Sequence, residues 1–62
     1  MKEVKLIFPD NSSMADFVLK EKVNNAEANS QEQILTAEMP DEKILVAETL
    51  YGAILKKMIP KN

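Results

Sequence analysis

Cysteine, histidine, arginine and tryptophan are all absent from this chain of 62 residues. Without Cys no disulfide can form, and without Cys and His the usual ligands of a zinc site are missing. Histidine is also the side chain that most often serves as a general base near neutral pH. Arginine is the best bidentate clamp for phosphate, and tryptophan is the best platform for a cation. The composition therefore argues against a disulfide scaffold, a zinc protein and a His-dependent enzyme.

Glycine and aromatic residues are also scarce, and positive charge is outnumbered by negative charge. Gly52 is the sole glycine, which excludes a glycine-rich phosphate loop, and the aromatic residues are Phe8, Phe17 and Tyr51. Eight Lys against ten Asp and Glu give a formal charge of −2. A nucleic-acid interface needs a basic surface for the phosphates and exposed aromatic rings for the bases. We therefore expect no nucleic-acid partner.

The length of the chain predicts one small domain over residues 1–62. A folded chain of about 60 residues buries only roughly 60% of the surface that its unfolded form exposes. With disulfides excluded and only a weak all-oxygen metal site possible, we expect oligomerisation to supply the extra support, although many domains of about 55–65 residues stand alone. The longest apolar runs, 44–47 and 52–55, are far too short to span a membrane. No apolar signal segment follows Met1, so we expect a cytoplasmic protein without a membrane partner. The chain as a whole looks like a small bacterial protein.

The first third of the chain predicts a strand followed by a helix. Between Lys2 and Phe8 apolar and polar residues alternate, and the Pro9 turn ends the strand. Ser13 and Asp16 fit a capping box at a helix start. The helix is predicted over 14–23, and its apolar face contains Met14, Ala15, Val18 and Leu19.

The middle of the chain predicts a β-hairpin. Two alternating runs, around Ala26 to Asn29 and Ile34 to Met39, are joined by a short polar link. The first arm is a weak strand former, because Ala, Asn and Glu are depleted in strands.

The final third predicts one long helix. Pro40, Asp41 and Glu42 are typical of a helix start, since carboxylates suit the positive end of the helix dipole. Apolar residues then recur at helical spacing at Ile44, Ala47, Leu50, Tyr51, Ile54, Leu55 and Met58. A strand over Lys43–Thr49 is the competing interpretation. Gly52 falls inside this helix, where it marks a kink, a close approach by another chain or a tolerated weak point.

Together these elements predict an α+β fold of order β-α-β-β-α, a truncated ferredoxin-like arrangement. We expect a three-stranded antiparallel or mixed sheet with two helices on one face, and the third strand between two parallel flanking strands. The predicted covered face consists of Val4, Leu6, Phe8, Ala26, Ala28, Leu35, Ala37 and Met39. The predicted uncovered face consists of Glu3, Lys5, Ile7, Glu27, Asn29, Ile34, Thr36 and Glu38.

The segment over 27–52 resembles the hairpin and helix of heavy-metal-associated domains. The features that match are Asn29 late in a strand, Ala37 in the next strand, the acidic pair at 41–42 and the Tyr51-Gly52 pair. The resemblance implies a ferredoxin-like fold. The metal-binding cysteines of that family would fall in the loop 9–13, which has no thiol. We expect the closing fourth strand of the family to be missing as well, since only residues 59–62 remain after the final helix. The resemblance therefore implies nothing about metal transport.

No set of residues predicts catalysis or a cofactor. Ser12 and Ser13 precede a helix, but no histidine is available to activate a serine, and helix capping explains these residues. Asp10, Ser12 and Glu21 have the spacing of calcium ligands, but Ala15 occupies the position where a calcium loop requires glycine. We therefore expect a protein that is not an enzyme and that has no metal site and no cofactor.

Surplus apolar surface is the one positive functional signal. The long final helix is apolar around more than half of its circumference, and two isoleucines lie on the uncovered side of the sheet. The predicted interaction surface consists of Ile7, Ile34, Thr36, Leu45, Val46 and Ala53. Such patches often bind another protein or a second copy, although scattered aliphatic residues are normal on small domains. The alternative is a regulatory domain that binds a small molecule on the sheet face or in a dimer cleft.

Overall fold

Six elements follow one another along the chain in the computed structural model, which describes residues 2–60 without the side chains at 24 and 60. They are β1 (Lys2–Ile7), α1 (Asn11–Glu21), β2 (Asn24–Asn29), β3 (Ile34–Met39), α2 (Asp41–Leu50) and β4 (Ile54–Pro60). The strands form one sheet in the order β2-β3-β1-β4, and every neighbouring pair is antiparallel. The predicted α+β class is confirmed. The prediction of three strands is wrong, because a fourth strand follows α2.

β1 and β3 form the centre of the sheet. They pair over their whole length, and the Phe8 N–H continues the ladder by donating to the Gln33 carbonyl oxygen at 2.9 Å. Alternate side chains on these strands point under the helices and are almost fully buried: Val4, Leu6, Phe8, Leu35, Ala37 and Met39. This part of the predicted covered face is confirmed, because alternation along a strand assigns each side chain to one face.

α1 begins earlier than predicted. Asp10, in extended conformation after Pro9, is the N-cap, and its Oδ1 accepts a hydrogen bond from the Ser13 N–H at 2.7 Å. A carboxylate one turn before Ser13 therefore satisfies the free amide, and the predicted capping box of Ser13 and Asp16 is wrong. The helix ends at Lys22, which adopts a left-handed conformation with φ of 51°.

The buried face of α1 is centred on Phe17. Met14 and Phe17 are buried, whereas Leu19, on the predicted apolar face, is 75% exposed. The Phe17 ring contacts the rings of Phe8 and Tyr51, with centroids 5.5 and 5.3 Å away. Because aromatic side chains bury the largest areas, the helix is rotated to bring Phe17 into the core.

α2 confirms the predicted helix start and excludes the strand alternative over 43–49, but the helix is shorter than predicted. Ile44 and Ala47 are its buried residues. The N–H groups of Tyr51 and Ala53 both donate to the Ala47 carbonyl oxygen, at 3.2 and 3.0 Å, and end the helix. Gly52 lies just after this end with φ of 70°, a left-handed conformation that glycine adopts without strain. The chain therefore turns at Gly52 and does not continue as a helix to Met58.

β4 pairs with β1 along the edge of the sheet, where a longer α2 was predicted. A β-bulge interrupts the pairing, with Lys56 as the extra residue between Leu55 and Lys57. Leu55 is opposite Leu6 and Met58 is opposite Val4, so both lie on the covered face although they are three residues apart. The bulge therefore gives this strand the spacing of apolar residues that is typical of a helix.

β2 forms the other edge of the sheet. Its register shifts between Asn24 and Glu27, and Asn25 has a positive φ of 52°. Ala26 and Ala28 are exposed, so their predicted place in the buried core is wrong. Small side chains on an edge strand that no helix covers closely do not reach the core.

Candidate functional site: the open face of the sheet

The sheet surface opposite the two helices, here called the open face, is formed by alternate residues of all four strands. It contains every residue of the predicted uncovered face. On β1 and β3 these residues alternate with the buried ones, and on β2 Glu27 and Asn29 are paired with Thr36 and Ile34 of β3. β4 adds residues that the sequence analysis placed in a helix or left out: Ile54, Lys57 and Ile59.

Three isoleucines form a continuous row across one end of the open face, here called the isoleucine row. Ile7 on β1 is opposite Ile34 on β3 and opposite Ile54 on β4. Directly opposed side chains on paired strands have Cβ atoms about 4.5–5.5 Å apart. Ile7 is therefore within contact distance of Ile34 on one side and of Ile54 on the other. Ile7 and Ile34 are half-buried, and Ile54 at the edge is 66% exposed.

The next row of the open face is charged and is here called the charged row. From β4 to β2 it consists of Lys57, Lys5, Thr36 and Glu27, as the pairing register places them opposite one another. Positive charge is therefore on the β1–β4 side and negative charge is on the β2 edge. Lys57 and Glu27 are three strand spacings apart, about 14 Å, so they do not contact each other within one molecule.

The β2–β3 turn borders the open face and is held by Asn29. The Asn29 side-chain oxygen accepts hydrogen bonds from the N–H groups of Gln31 and Glu32, at 3.0 and 3.2 Å. A shallow depression of about 550 Å³ lies beside this turn. Polar residues dominate its lining, which includes Lys5, Glu27, Asn29 and Thr36.

The structure brings together only part of the predicted interaction surface. Ile7, Ile34 and Thr36 are neighbours on the open face. Leu45 is exposed on α2, on the helix side of the sheet. Val46 is half-buried against the core, and Ala53 is only 5% exposed within it, so Ala53 is not part of an accessible surface. The predicted wide apolar face of a long helix does not exist, because the chain leaves the helix before Ala53.

Ile54 is the member of the isoleucine row that the sequence analysis missed. Its apolar neighbours Leu55 and Met58 fit a helical repeat, and the bulge that produces this spacing has no sequence signature of its own. Gly52 was the available signal, because glycine is strongly enriched just after helix C-termini. Ending the helix there places Ile54 at the start of a strand.

A second apolar surface lies on the helix side, in a groove between α1 and β2. The groove has a volume of about 440 Å³ and is lined by Met14, Ala15, Val18, Leu19 and Ala28 among others. It exists because Ala15 and Ala28 are too small to fill the space between the helix and the edge strand.

Two acidic residues near helix starts have structural partners. Asp10 caps α1, and the hydrogen bonds from the Ser13 backbone and side chain lower its pKa below the ordinary 3.8. Asp41 forms an ion pair with Lys2 at 3.0 Å. Within residues 2–60 no group of three acidic side chains is arranged to hold a metal ion. The helices in the same part of the chain are too short and too polar to cross a membrane.

No protein-family model matches this chain, and neither a curated protein nor a solved structure is significantly similar to it.

Proposed function

We propose that this chain is a non-enzymatic interaction module that binds protein through the open face. The observation that carries the proposal is the isoleucine row of Ile54, Ile7 and Ile34, which spans three adjacent strands without a covering layer. Full burial of one such side chain contributes about 1.5–3 kcal/mol. A partner that covers the row therefore gains a contiguous apolar contact, which isolated surface aliphatics do not offer.

We also propose that the fold is ferredoxin-like, with the fourth strand that the sequence analysis lacked. The order β-α-β-β-α-β, the antiparallel pairing and the central position of β1 and β3 support this proposal. The resemblance to heavy-metal-associated domains concerns the fold alone. The loop of 9–13 contains no thiol, so the proposal does not extend to metal transport.

The small size of the chain supports an interaction role. It has no cysteine for a disulfide, and among the residues that the structure describes the core is one cluster of eleven buried side chains. Domains of this length have little stability to spare, and a partner that binds only the folded form adds to it by mass action. Binding of a partner to the open face would therefore also stabilise the fold.

Site-specific photo-crosslinking in the cells that naturally produce this chain tests the proposal. A photoreactive phenylalanine analogue replaces Lys57, which lies on the open face beside the isoleucine row. The matched control places the same analogue at Leu45, which is exposed on α2. We expect a discrete protein adduct from position 57 that disappears when Ile7 is changed to Lys, and none from position 45. Equal crosslinking at both positions, or an adduct that survives Ile7→Lys, would contradict the proposal.

A second candidate function is the binding of a small polar molecule in the depression beside the β2–β3 turn. The observation that favours it is the convergence of an ammonium, a carboxylate and a hydroxyl, from Lys5, Glu27 and Thr36, on one concave surface. Titration of labelled protein with a metabolite library tests it. Saturable NMR shifts at Thr36 and Ile34 that Lys5→Met abolishes are the expected result, and unchanged spectra throughout the library would reject it.

A further inference from the structure

We propose that the partner on the open face is a second copy of this chain, stacked face to face about a two-fold axis parallel to the strands. The proposal rests on the proposed function of the open face and specifies its occupant. Four facts carry it: the strand order, the isoleucine row, the charged row and the separation of opposite charges to opposite edges of the sheet.

The strand order determines which strands meet in such a dimer. The sheet runs β2-β3-β1-β4, so its midline lies between β3 and β1. A rotation of 180° about an axis along this midline places β4 over β2 of the other copy and β1 over β3. The rotation does not move residues along the strands, so each row of one copy faces the same row of the other.

The charged row is complementary to itself under this rotation. Lys57 at one edge faces Glu27 of the partner subunit, and Glu27 at the other edge faces Lys57 of the partner subunit. Lys5 faces Thr36 of the partner subunit, so no two charges of the same sign are opposed in this row. An isologous contact forms each pair twice, which doubles the effect of any single substitution.

The isoleucine row is complementary under the same rotation. Ile7 faces Ile34 of the partner subunit, and Ile34 faces Ile7 of the partner subunit, so four isoleucine side chains meet near the axis. Ile54 lies at the rim over Asn29 of the partner subunit. Packed sheets are about 10 Å apart, a distance that facing aliphatic side chains fill. The half-buried isoleucines of each copy would thereby become the core of the interface.

A two-fold axis perpendicular to the strands gives a poorer contact. If it passes through the charged row, it places Lys57 against Lys57 of the partner subunit and Glu27 against Glu27 of the partner subunit. Like charges juxtaposed across an interface are strongly unfavourable. If it passes through the isoleucine row, the two charged rows lie on opposite sides of the axis and contribute no attraction between the copies. Within the charged row, the pattern therefore favours the axis parallel to the strands.

The end of the open face beyond the charged row limits the strength of the dimer. There Glu3 is opposite Glu38 within one copy, and the rotation brings Glu3 towards Glu38 of the partner subunit. Aligned sheets cross at about 30°. With the crossing point at the isoleucine row, the row of Glu3 and Glu38 is four residues away, about 14 Å, where the two sheets diverge. The face measures about 19 by 20 Å, which is roughly half of the area per partner in a standard interface. We therefore expect a weak dimer, with a Kd of about 10 μM to 1 mM.

Sedimentation equilibrium of the intact chain at low salt, from about 10 μM to 2 mM, tests the proposal. The wild-type chain should show a reversible monomer–dimer equilibrium. Glu27→Lys alone and Lys57→Glu alone should each weaken the dimer about tenfold. Lys20→Glu on the exposed surface of α1 makes the same change of charge away from the interface and should leave Kd unchanged.

Mixing the two weakened variants is the decisive measurement. A Glu27→Lys chain and a Lys57→Glu chain form a heterodimer in which both pairs again combine a lysine with a carboxylate. The mixture should therefore associate about as tightly as the wild-type chain, although neither variant does so alone. This rescue requires contact between two molecules, because residues 27 and 57 lie at opposite edges of one sheet.

Each alternative outcome is informative. A wild-type chain that stays monomeric at 2 mM overturns the proposal, as does a dimer that mixing fails to rescue or that Lys20→Glu weakens equally. A crosslinked adduct at position 57 with the mass of a different protein would overturn this inference and leave the proposed function standing. An adduct with the mass of two copies supports both. Circular dichroism verifies that every variant is folded.

Discussion

Along β3, three side chains lie under the helices and the three that alternate with them lie on the open face. Leu35, Ala37 and Met39 are almost fully buried. Ile34, Thr36 and Glu38 retain access to solvent. The same strand therefore supplies a wholly apolar surface on one side and a mixture of isoleucine, hydroxyl and charge on the other.

The contrast between the two faces separates folding from association. The covered face is closed by α1 and α2, whose buried residues join those of β1 and β3 in a single cluster. The open face carries three isoleucines in one row and its charges in the two rows beyond it, so it is neither a core nor an ordinary solvated surface. Changes on the covered face should strongly lower the free energy of unfolding, whereas changes on the open face should act mainly on association.

The largest expected effect is the difference in stability between two substitutions on opposite faces of β3. Leu35→Ala should lower the free energy of unfolding by about 2–5 kcal/mol, because it leaves a cavity in the core. Ile34→Ala should cost about 1 kcal/mol or less, since Ile34 has no covering layer. Urea unfolding followed by circular dichroism measures both values. Equal losses for the two substitutions would contradict the division into a covered and an open face.

The next effect concerns the turn that carries β4, and with it Ile54, to the open face. Gly52→Ala should destabilise the chain by about 1–2 kcal/mol, because a side chain disfavours the left-handed φ of 70°. Space is not the reason, since the added Cβ would lie 3.6 Å from the Pro9 ring, an ordinary contact. Gly52→Asn should cost less, because asparagine tolerates this conformation. Thermal and urea unfolding compare the two, and a neutral Gly52→Ala would mean that β4 does not need this turn.

A smaller effect concerns the N-cap that positions α1 over the covered face. The folded pKa of Asp10 is lowered, so its contribution to stability is present above the unfolded pKa of about 3.8 and is lost as the pH falls through the folded pKa. Asp10→Asn keeps an oxygen acceptor at the cap and does not titrate. We expect the difference in urea midpoint between wild type and Asp10→Asn to be larger at pH 7 than near pH 2.5. A difference independent of pH would exclude this role of the carboxylate.

The smallest expected effect is at Leu45, which the sequence analysis assigned to the interaction surface. Leu45→Lys should change neither the free energy of unfolding nor the association, because the side chain is 60% exposed on the helix side of the sheet. Urea unfolding and sedimentation equilibrium measure the two quantities. Loss of association with Leu45→Lys would move the interaction surface from the open face to α2.

The elements with regular patterns were predictable. Alternation identified β1 and β3 and assigned their side chains to faces, and the acidic residues after Pro40 identified the start of α2. The Asp10 cap was missed because Ser13 and Asp16 offered a competing motif that is equally regular. The exposure of Ala26 and Ala28 was missed because alternation gives the face of a side chain and not whether a helix covers it.

The amino-acid sequence by itself determined the exclusions and the phase of each regular strand. Residue chemistry excludes a disulfide and a histidine-dependent site, and the period of two assigns Ile7, Ile34 and Thr36 to one side of the sheet. Tertiary structure alone decided that the last segment is a strand. Residues 54–58 have the apolar spacing of a helix, and the segment 54–60 gains its hydrogen bonds as a strand only beside β1. The bulge at Lys56 then decided which of those side chains reach the core and which, like Ile54, complete the open face.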